Sequence, residues 1–144
     1  MPINQDQESL TQHEIRKVSI QFLYSMEVRP EQSEADLLAY ILDGREFSQK
    51  NRDFFDKLVE GVRTNQKTID LTLSKFLMKS WSMERLTVID RAIARLGAYE
   101  ILYSEVADRI AIDEAINLAK DFSDANASKL INGLLTNLIK KDEL

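Results

Sequence analysis

Cysteine is absent from this sequence, and histidine occurs once, at His13. The chain therefore has no disulfide, no thiol nucleophile and no thiolate metal ligand. One imidazole cannot build a histidine-rich zinc site. The glycines stand apart at positions 44, 61, 97 and 133, so no glycine-rich loop can cradle a phosphate group. These absences argue against an enzyme and predict neither a cofactor nor a metal site.

Long hydrophobic runs and positive charge are also scarce. The apolar stretches are short and interrupted by charges, so we expect no membrane-spanning segment. Residues 1–9 lack the basic start and apolar centre of a signal peptide, and we expect a cytoplasmic protein. The formal net charge of −5 argues against gross electrostatic binding of a polyanion. Any nucleic-acid contact must then rest on local charge, a partner's charge or base stacking.

Helix signals dominate what remains. Thr11 with Glu14 three places on forms a capping box at the start of a first helix. Arg29 precedes a proline and ends that helix, because the residue before proline is pushed out of the α region. Ser33 caps a second, short helix, and Gly44 is placed to close it in a left-handed conformation. No alternating strand pattern occurs between turn residues, so the sequence predicts an all-α fold.

The middle of the chain keeps a helical period over residues 48–80, which is long for one ordinary helix. We expect a break or a bend at Gly61 and the polar residues 63–66. Three further helices are expected after it: from behind Ser82 to about Tyr103, over residues 111–122, and from a Ser123-Asp124 cap onward. The sequence thus predicts about seven helices in one domain, residues 11–144, preceded by a flexible arm of residues 1–10.

Positive side chains are few, which makes their placement informative. Arg16 and Lys17 are expected on faces of the first helix that its apolar residues do not use. With Lys120 and Lys129 they would form a modest phosphate-binding strip if all four converge. Gln21 and Tyr24 would offer an amide and a stacking ring to an unpaired base. The competing interpretation is a set of solvated charges, with the Tyr24 ring as a half-buried packing group.

Two other arginines and the acids have structural interpretations. Arg91 and Arg95 are four residues apart and share a helix face. Arg95 lies among apolar residues, which favours an internal salt bridge to Glu100 or another acid. Paired carboxylates such as Asp113 and Glu114 permit acid–base catalysis in principle. Their place in a first helical turn favours charges that complement the helix dipole instead.

The order and spacing of several segments resemble the NusB family of bacterial transcription antitermination factors. The resemblance covers about residues 14–140. The segments that carry it are Arg16–Tyr24, Leu58–Val62, Ile69-Asp70, Trp81, Arg91–Leu96, Tyr99-Glu100, Ile112–Lys120 and Ile131–Gly133.

The resemblance implies two three-helix bundles packed roughly perpendicular to each other. It implies binding to the boxA RNA element of ribosomal RNA transcripts together with a small-subunit ribosomal protein, called NusE in that role. The complex is expected to join elongating RNA polymerase with other Nus factors and to catalyse no chemistry. Some relatives also form homodimers that hide the RNA surface.

The resemblance also assigns residues by position. Tyr24, Glu84 and Asp90 fall where relatives meet the ribosomal protein, and acids there suit a basic partner. The positions on or near the RNA-facing surface are Arg16, Lys17, Gln21, Tyr24, Lys120, Asn126, Lys129 and Leu130.

Three departures from the family pattern change the expected affinity. The arginine-rich stretch of relatives keeps one arginine here, Arg16. Leu130 stands where many relatives have phenylalanine, and Asp113 replaces a usual asparagine. From these three departures we expect weaker RNA binding by the isolated chain and heavier reliance on the ribosomal protein. Asn126 stands where some relatives carry an acid, and one less negative charge near phosphate partly compensates.

Two alternative functions remain open. The first is a homodimeric protein-interaction scaffold without an RNA role. The second is the non-catalytic module of a ribosomal RNA methyltransferase, in which a NusB-like domain precedes the catalytic domain. The 144 residues contain no cofactor-binding half, so the second alternative lacks its catalyst.

Overall fold

The fold is described from a computed structural model, which places residues 10–143, with side chains to residue 139. Within that range every regular element is helical, which confirms the predicted all-α fold. A single 3-10 turn, Met83–Arg85, precedes the fourth helix. The α-helices are α1 Gln12–Val28, α2 Glu34–Leu42, α3 Gln49–Ser74, α4 Val88–Tyr103, α5 Asp108–Phe122 and α6 Ala125–Glu143.

The predicted start of α1 is confirmed in atomic detail. The Thr11 side chain accepts a hydrogen bond from the backbone N–H of Glu14 at 3.1 Å, and the Glu14 carboxylate accepts one from the backbone N–H of Thr11 at 3.1 Å. That backbone donor lowers the pKa of the Glu14 carboxyl, because it stabilises the charged form. The helix stops before Arg29, as expected from the following proline.

The short second helix also begins and ends where expected. Ser33 accepts a hydrogen bond from the backbone N–H of Asp36 at 3.1 Å. Gly44 has a φ of 85°, in the left-handed region that glycine adopts without strain. The residue before it, Asp43, also has positive φ, at 50°. Arg45 then folds back and donates to the carbonyl of Leu42 at 2.8 Å, which satisfies one open end of the helix.

The expected break near Gly61 is wrong: α3 is one continuous helix of 26 residues through that point. Gly61 serves a tertiary contact instead. A Cβ added there would lie 2.1 Å from Cε1 of Tyr99, so the Tyr99 ring packs directly on the helix backbone. Burial is the main reason that the pKa of the Tyr99 phenol is raised, and the nearby charge of Glu100 adds to it. Asn65 donates to the Gly61 carbonyl at 2.8 Å. One unbroken helix here is why six α-helices are seen rather than about seven.

The chain divides into two compact units, residues up to Val59 and residues from Glu60 on. In the first unit, α1 packs against α2. Phe55 of α3 meets Phe22 edge to face at a centroid distance of 5.4 Å and meets Phe47 at 5.2 Å. Of the predicted flexible arm, residues 1–9 lie outside the described residues. Leu10 is buried, and its carbonyl accepts a hydrogen bond from Asn51 Nδ2 at 3.2 Å.

In the second unit α4, α5 and α6 pack against one another as a three-helix bundle. Its fully buried large side chains include Ile93, Leu96, Leu118, Ile131, Leu135 and Leu138. The part of α3 after Gly61 contributes Ile69 and Leu73 to the buried set. An ion pair joins α3 to α4, because Nε and Nη2 of Arg95 donate to Oδ1 and Oδ2 of Asp70, each at 2.8 Å. This confirms the predicted internal salt bridge and identifies Asp70, rather than Glu100, as its acid.

We predict opposite effects from the same substitution at two helical glycines. Gly61→Ala destabilises the fold by about 1–3 kcal/mol, because the new methyl group displaces the Tyr99 ring. Gly133→Ala stabilises it by about 0.5–1 kcal/mol, since open space surrounds that position and alanine favours the helix. Urea unfolding of both variants measures the difference. Equal stability of the two variants would contradict the packing described for Tyr99.

Candidate nucleic-acid interface

One face of α1 presents polar and aromatic groups in a row. Lys17, Gln21, Tyr24 and Val28 follow at spacings of four, three and four residues, which places them on one side of the helix. Lys17 and Gln21 are half-exposed, the Tyr24 side chain is 40% exposed, and Val28 is exposed. From Lys17 to Tyr24 the row extends about 10 Å along the helix axis. We call these four residues the α1 face.

Arg16, the neighbour of this face, is not where the sequence interpretation placed it. Its residue is only 2% exposed, and its guanidinium carbon lies 5.2 Å from the centroid of the Phe54 ring. The side chain thus packs into the first unit with its charge over an aromatic face, which is an attractive arrangement. The expectation of an Arg16 open to a ligand is therefore corrected. A contact between Arg16 and RNA stays a prediction, and it requires the side chain to leave Phe54.

A second group of predicted residues lies at one end of the α5–α6 hairpin. Lys120 is exposed in the last turn of α5, and Asn126 and Lys129 are exposed in the first turns of α6. The two helices pack together and only Ser123 and Asp124 separate them. Asp124 accepts a hydrogen bond from the backbone N–H of Ala127 at 2.8 Å and so begins α6. We call Lys120, Asn126 and Lys129 the hairpin end.

Charge at the hairpin end is modest. Asp121 and Asp124 are exposed beside the two lysines, so the local charges nearly balance. Leu130, the remaining predicted residue, is half-buried and offers no ring or hydrogen-bonding group. Strong binding of a polyanion by this segment alone is therefore not expected.

The two predicted partner-binding acids lie close together in the chain on adjoining elements. Glu84 is exposed in the 3-10 turn, and Asp90 lies in the first turn of α4. Thr87 caps that helix by accepting a hydrogen bond from the backbone N–H of Asp90 at 3.2 Å. Among the side chains described, Oδ1 of Asp90 is the buried polar atom without a hydrogen-bond partner. A buried acceptor without a hydrogen-bond partner is uncommon in folded proteins.

The structure thus assembles the predicted residues into three local groups, namely the α1 face, the hairpin end and the two acids. Two residues next to these groups, Val28 and Arg91, were not predicted from the sequence as part of a site. Val28 extends the α1 face, and its helical spacing from Tyr24 carried that signal. Arg91 was expected to share a helix face with Arg95; its guanidinium also donates to the backbone carbonyls of Met83 and Leu86, which the sequence interpretation did not include. No local sequence pattern predicts this contact of Arg91.

The described residues show neither a candidate metal site nor a candidate membrane span. Their histidine, aspartate and glutamate side chains form no cluster of three or more that would hold a metal ion. Within the same range, no helix combines the length and the apolar character needed to cross a membrane.

Known proteins resemble this chain over nearly its whole length. The sequence model of the NusB family matches residues 13–140. "Transcription antitermination protein NusB" of Ligilactobacillus salivarius (strain UCC118) is 38% identical over 131 residues, which covers 91% of this chain and 99% of the relative. The protein of the same name from Macrococcus caseolyticus (strain JCSC5402) is 40% identical over 133 residues, which covers 91% of this chain and 98% of the relative.

Solved structures agree with the sequence matches. A crystal form of T. maritima NusB has a TM-score of 0.81 at 31% identity and covers 92% of each chain. A crystal structure of antitermination factors NusB and NusE in complex with dsRNA has a TM-score of 0.75 at 22% identity, which shows the fold alone.

Fold and matches together define a helical transcription antitermination protein, which confirms the prediction that the chain is not an enzyme. The chain belongs to the NusB family.

We predict that Arg16 contributes more to the stability of the fold than its neighbour Lys17 does. Arg16→Gln lowers the free energy of unfolding by about 1–3 kcal/mol, because it removes a buried charged group and its contact with Phe54. Lys17→Gln, the matched change at the next residue, shifts it by less than about 0.5 kcal/mol. Urea denaturation compares the two. An unchanged stability of the Arg16 variant would show that its guanidinium is not buried in solution.

Proposed function

We propose that this chain binds boxA-containing RNA of ribosomal RNA transcripts jointly with a small-subunit ribosomal protein of the NusE kind. The observation that carries the proposal is the α1 face on a chain of the NusB family. In this role the protein joins elongating RNA polymerase with other Nus factors, in the cytoplasm, and suppresses premature termination.

The α1 face suits unpaired RNA better than duplex RNA. Proteins read single-stranded RNA by stacking bases on aromatic rings and by hydrogen bonds to base edges. Tyr24 provides an exposed ring, Gln21 a hydrogen-bonding amide and Lys17 one positive charge. The hairpin end adds two lysines, so only a few phosphates are engaged and binding weakens with rising salt over a shallow slope.

The acids support the second half of the proposal. Glu84 is exposed and Asp90 is half-exposed, and a basic ribosomal protein is the partner that such acids attract. NusB stands with NusE in the crystal structure of antitermination factors NusB and NusE in complex with dsRNA. Because this chain carries a net charge of −5, we propose that the partner's positive charge supports RNA binding.

Homodimerisation is the competing use of the same surface. The α1 face ends in exposed Val28, and a second copy that covered Tyr24 and Val28 would exclude RNA. Under the proposed function, any such dimer dissociates when boxA RNA and the ribosomal protein are added together.

We predict that two substitutions weaken RNA binding through different interactions. Tyr24→Ala removes a stacking ring, which contributes about 1–3 kcal/mol per base in related interactions. Lys129→Glu weakens binding less and reduces the dependence of affinity on salt by roughly one phosphate contact. Fluorescence anisotropy with boxA RNA, at several salt concentrations and with the ribosomal protein present, measures both effects.

Lys50→Glu is the matched control, because it reverses an exposed charge on α3 outside the three groups. It should retain nearly all of the affinity. The proposed function fails if Tyr24→Ala and Lys129→Glu bind RNA as the unaltered chain does. It also fails if sedimentation shows a dimer that RNA and the ribosomal protein leave intact.

A further inference from the structure

The 3-10 turn that carries Glu84 is fastened to α4 by one guanidinium group. Nη1 of Arg91 donates to the carbonyl oxygens of Met83 and Leu86, each at 3.1 Å. The carbonyl of Glu84 lies at 3.4 Å from the same nitrogen and shares these hydrogens more weakly. The Met83 carbonyl also accepts a hydrogen bond from the backbone N–H of Leu86 at 3.3 Å, within the turn. Arg91 adds a second donor to that carbonyl and a donor to the carbonyl of Leu86, so one guanidinium group ties the turn to α4.

Hydrophobic anchors hold the same turn from either side. Met83 and Leu86 are each only 5% exposed, whereas Glu84 between them is exposed. On the N-terminal side, Nη1 of Arg85 donates to the carbonyl of Ser80. With both anchors buried and the carbonyls bonded, the backbone at Glu84 has little freedom. The backbone position from which the Glu84 side chain extends into solvent is therefore fixed.

We propose that Arg91 is a positioning residue of the partner surface, which holds the Glu84 carboxylate in register with that of Asp90. This inference rests on the proposed function and names the device that prepares its protein-binding half. Asp90 precedes Arg91 in the first turn of α4, so the helix that carries one acid also fixes the turn that carries the other. The partner that fits is a basic protein surface with two cationic groups at matching separation.

The physical reason is preorganisation. A carboxylate on a mobile turn loses conformational freedom when it binds, and that loss reduces the affinity. A turn already held by hydrogen bonds has lost that freedom during folding. Arg91 in this way raises the affinity for the partner without touching it.

The direction in which partner affinity changes when Arg91 is neutralised distinguishes positioning from direct electrostatics. Arg91 carries a positive charge in the same segment as the two acids that the proposed function sets against a basic partner. By Coulomb's law alone, its removal strengthens the attraction between the partner and this surface. Positioning predicts the reverse, namely weaker binding after Arg91 is neutralised.

The test measures the dissociation constant of the ribosomal protein by isothermal titration calorimetry. The chains compared are the unaltered chain, Arg91→Gln, Glu84→Gln and the double variant. We expect Arg91→Gln and Glu84→Gln each to weaken binding roughly threefold to tenfold. Because both act through the same carboxylate, the double variant should lose little more than either single one. Arg109→Gln is the control, since it removes an exposed positive charge outside this turn and should not weaken binding.

A second measurement observes the turn without any partner. In Arg91→Gln the backbone amides of Arg85 and Leu86, which donate to Ser82 and Met83, should exchange with solvent faster. Arg91→Lys keeps a donor and the charge, and should restore part of both the exchange protection and the affinity. This variant also carries the test if Arg91→Gln does not fold.

Each other outcome has a definite meaning. Equal or tighter partner binding by Arg91→Gln overturns the positioning role, as do losses that add fully in the double variant. Unchanged amide exchange also overturns it. If the unaltered chain does not bind the ribosomal protein at all, the proposed function fails, and the role of Arg91 toward a partner fails with it.

Discussion

Three helices of the second unit meet at Gly97, and the positions of its surface groups depend on that meeting. A Cβ at this residue would lie 2.6 Å from Cδ1 of Leu135 on α6 and 3.2 Å from Cβ of Ala115 on α5. Only a residue without a side chain lets α4 approach both neighbours so closely. Ala94 and Ala98, near Gly97 on α4, are also fully buried. Because alanine side chains are small, the α4 surface is flat along this contact.

This packing connects the core to the proposed function. The acids Glu84 and Asp90 lie at the start of α4, and the hairpin end lies where α5 passes into α6. Both groups therefore take their places from the same three-helix contact. In the first unit, α1 buries Phe22 against Phe55 and Arg16 against Phe54. The four residues of the α1 face, by contrast, are half-exposed or exposed.

Local signals made much of the fold predictable. The caps at Thr11 and Ser33, the stop before Arg29 and the left-handed Gly44 involve residues within a few positions of one another, so their interactions follow from the sequence. The helical spacing of Lys17, Gln21 and Tyr24 likewise made the α1 face predictable. The family resemblance added the roles of these residues, which spacing alone does not provide.

Apart from Val28, the features that sequence reasoning missed depend on contacts that helix spacing and local propensity do not encode. Gly61 suggested a helix break by its low helix propensity, but the packing of Tyr99 against it offsets that preference. Arg16 looked exposed because its partner Phe54 comes from another helix. Arg91 was grouped with Arg95 by its spacing, although its donors reach the carbonyls of a preceding turn. Tertiary contact decided each case over local preference.

The central claim is that this helical protein binds a transcript through the α1 face and the hairpin end and a basic ribosomal protein through Glu84 and Asp90, with Tyr24 expected in both contacts. Amide chemical-shift mapping tests it most directly, with boxA RNA and the ribosomal protein added in turn and then together. The account predicts RNA-dependent shifts at Lys17, Gln21 and Tyr24 and at the hairpin end, and protein-dependent shifts from Glu84 to Asp90. Shifts confined to other parts of the chain, or none with both ligands present, would contradict it.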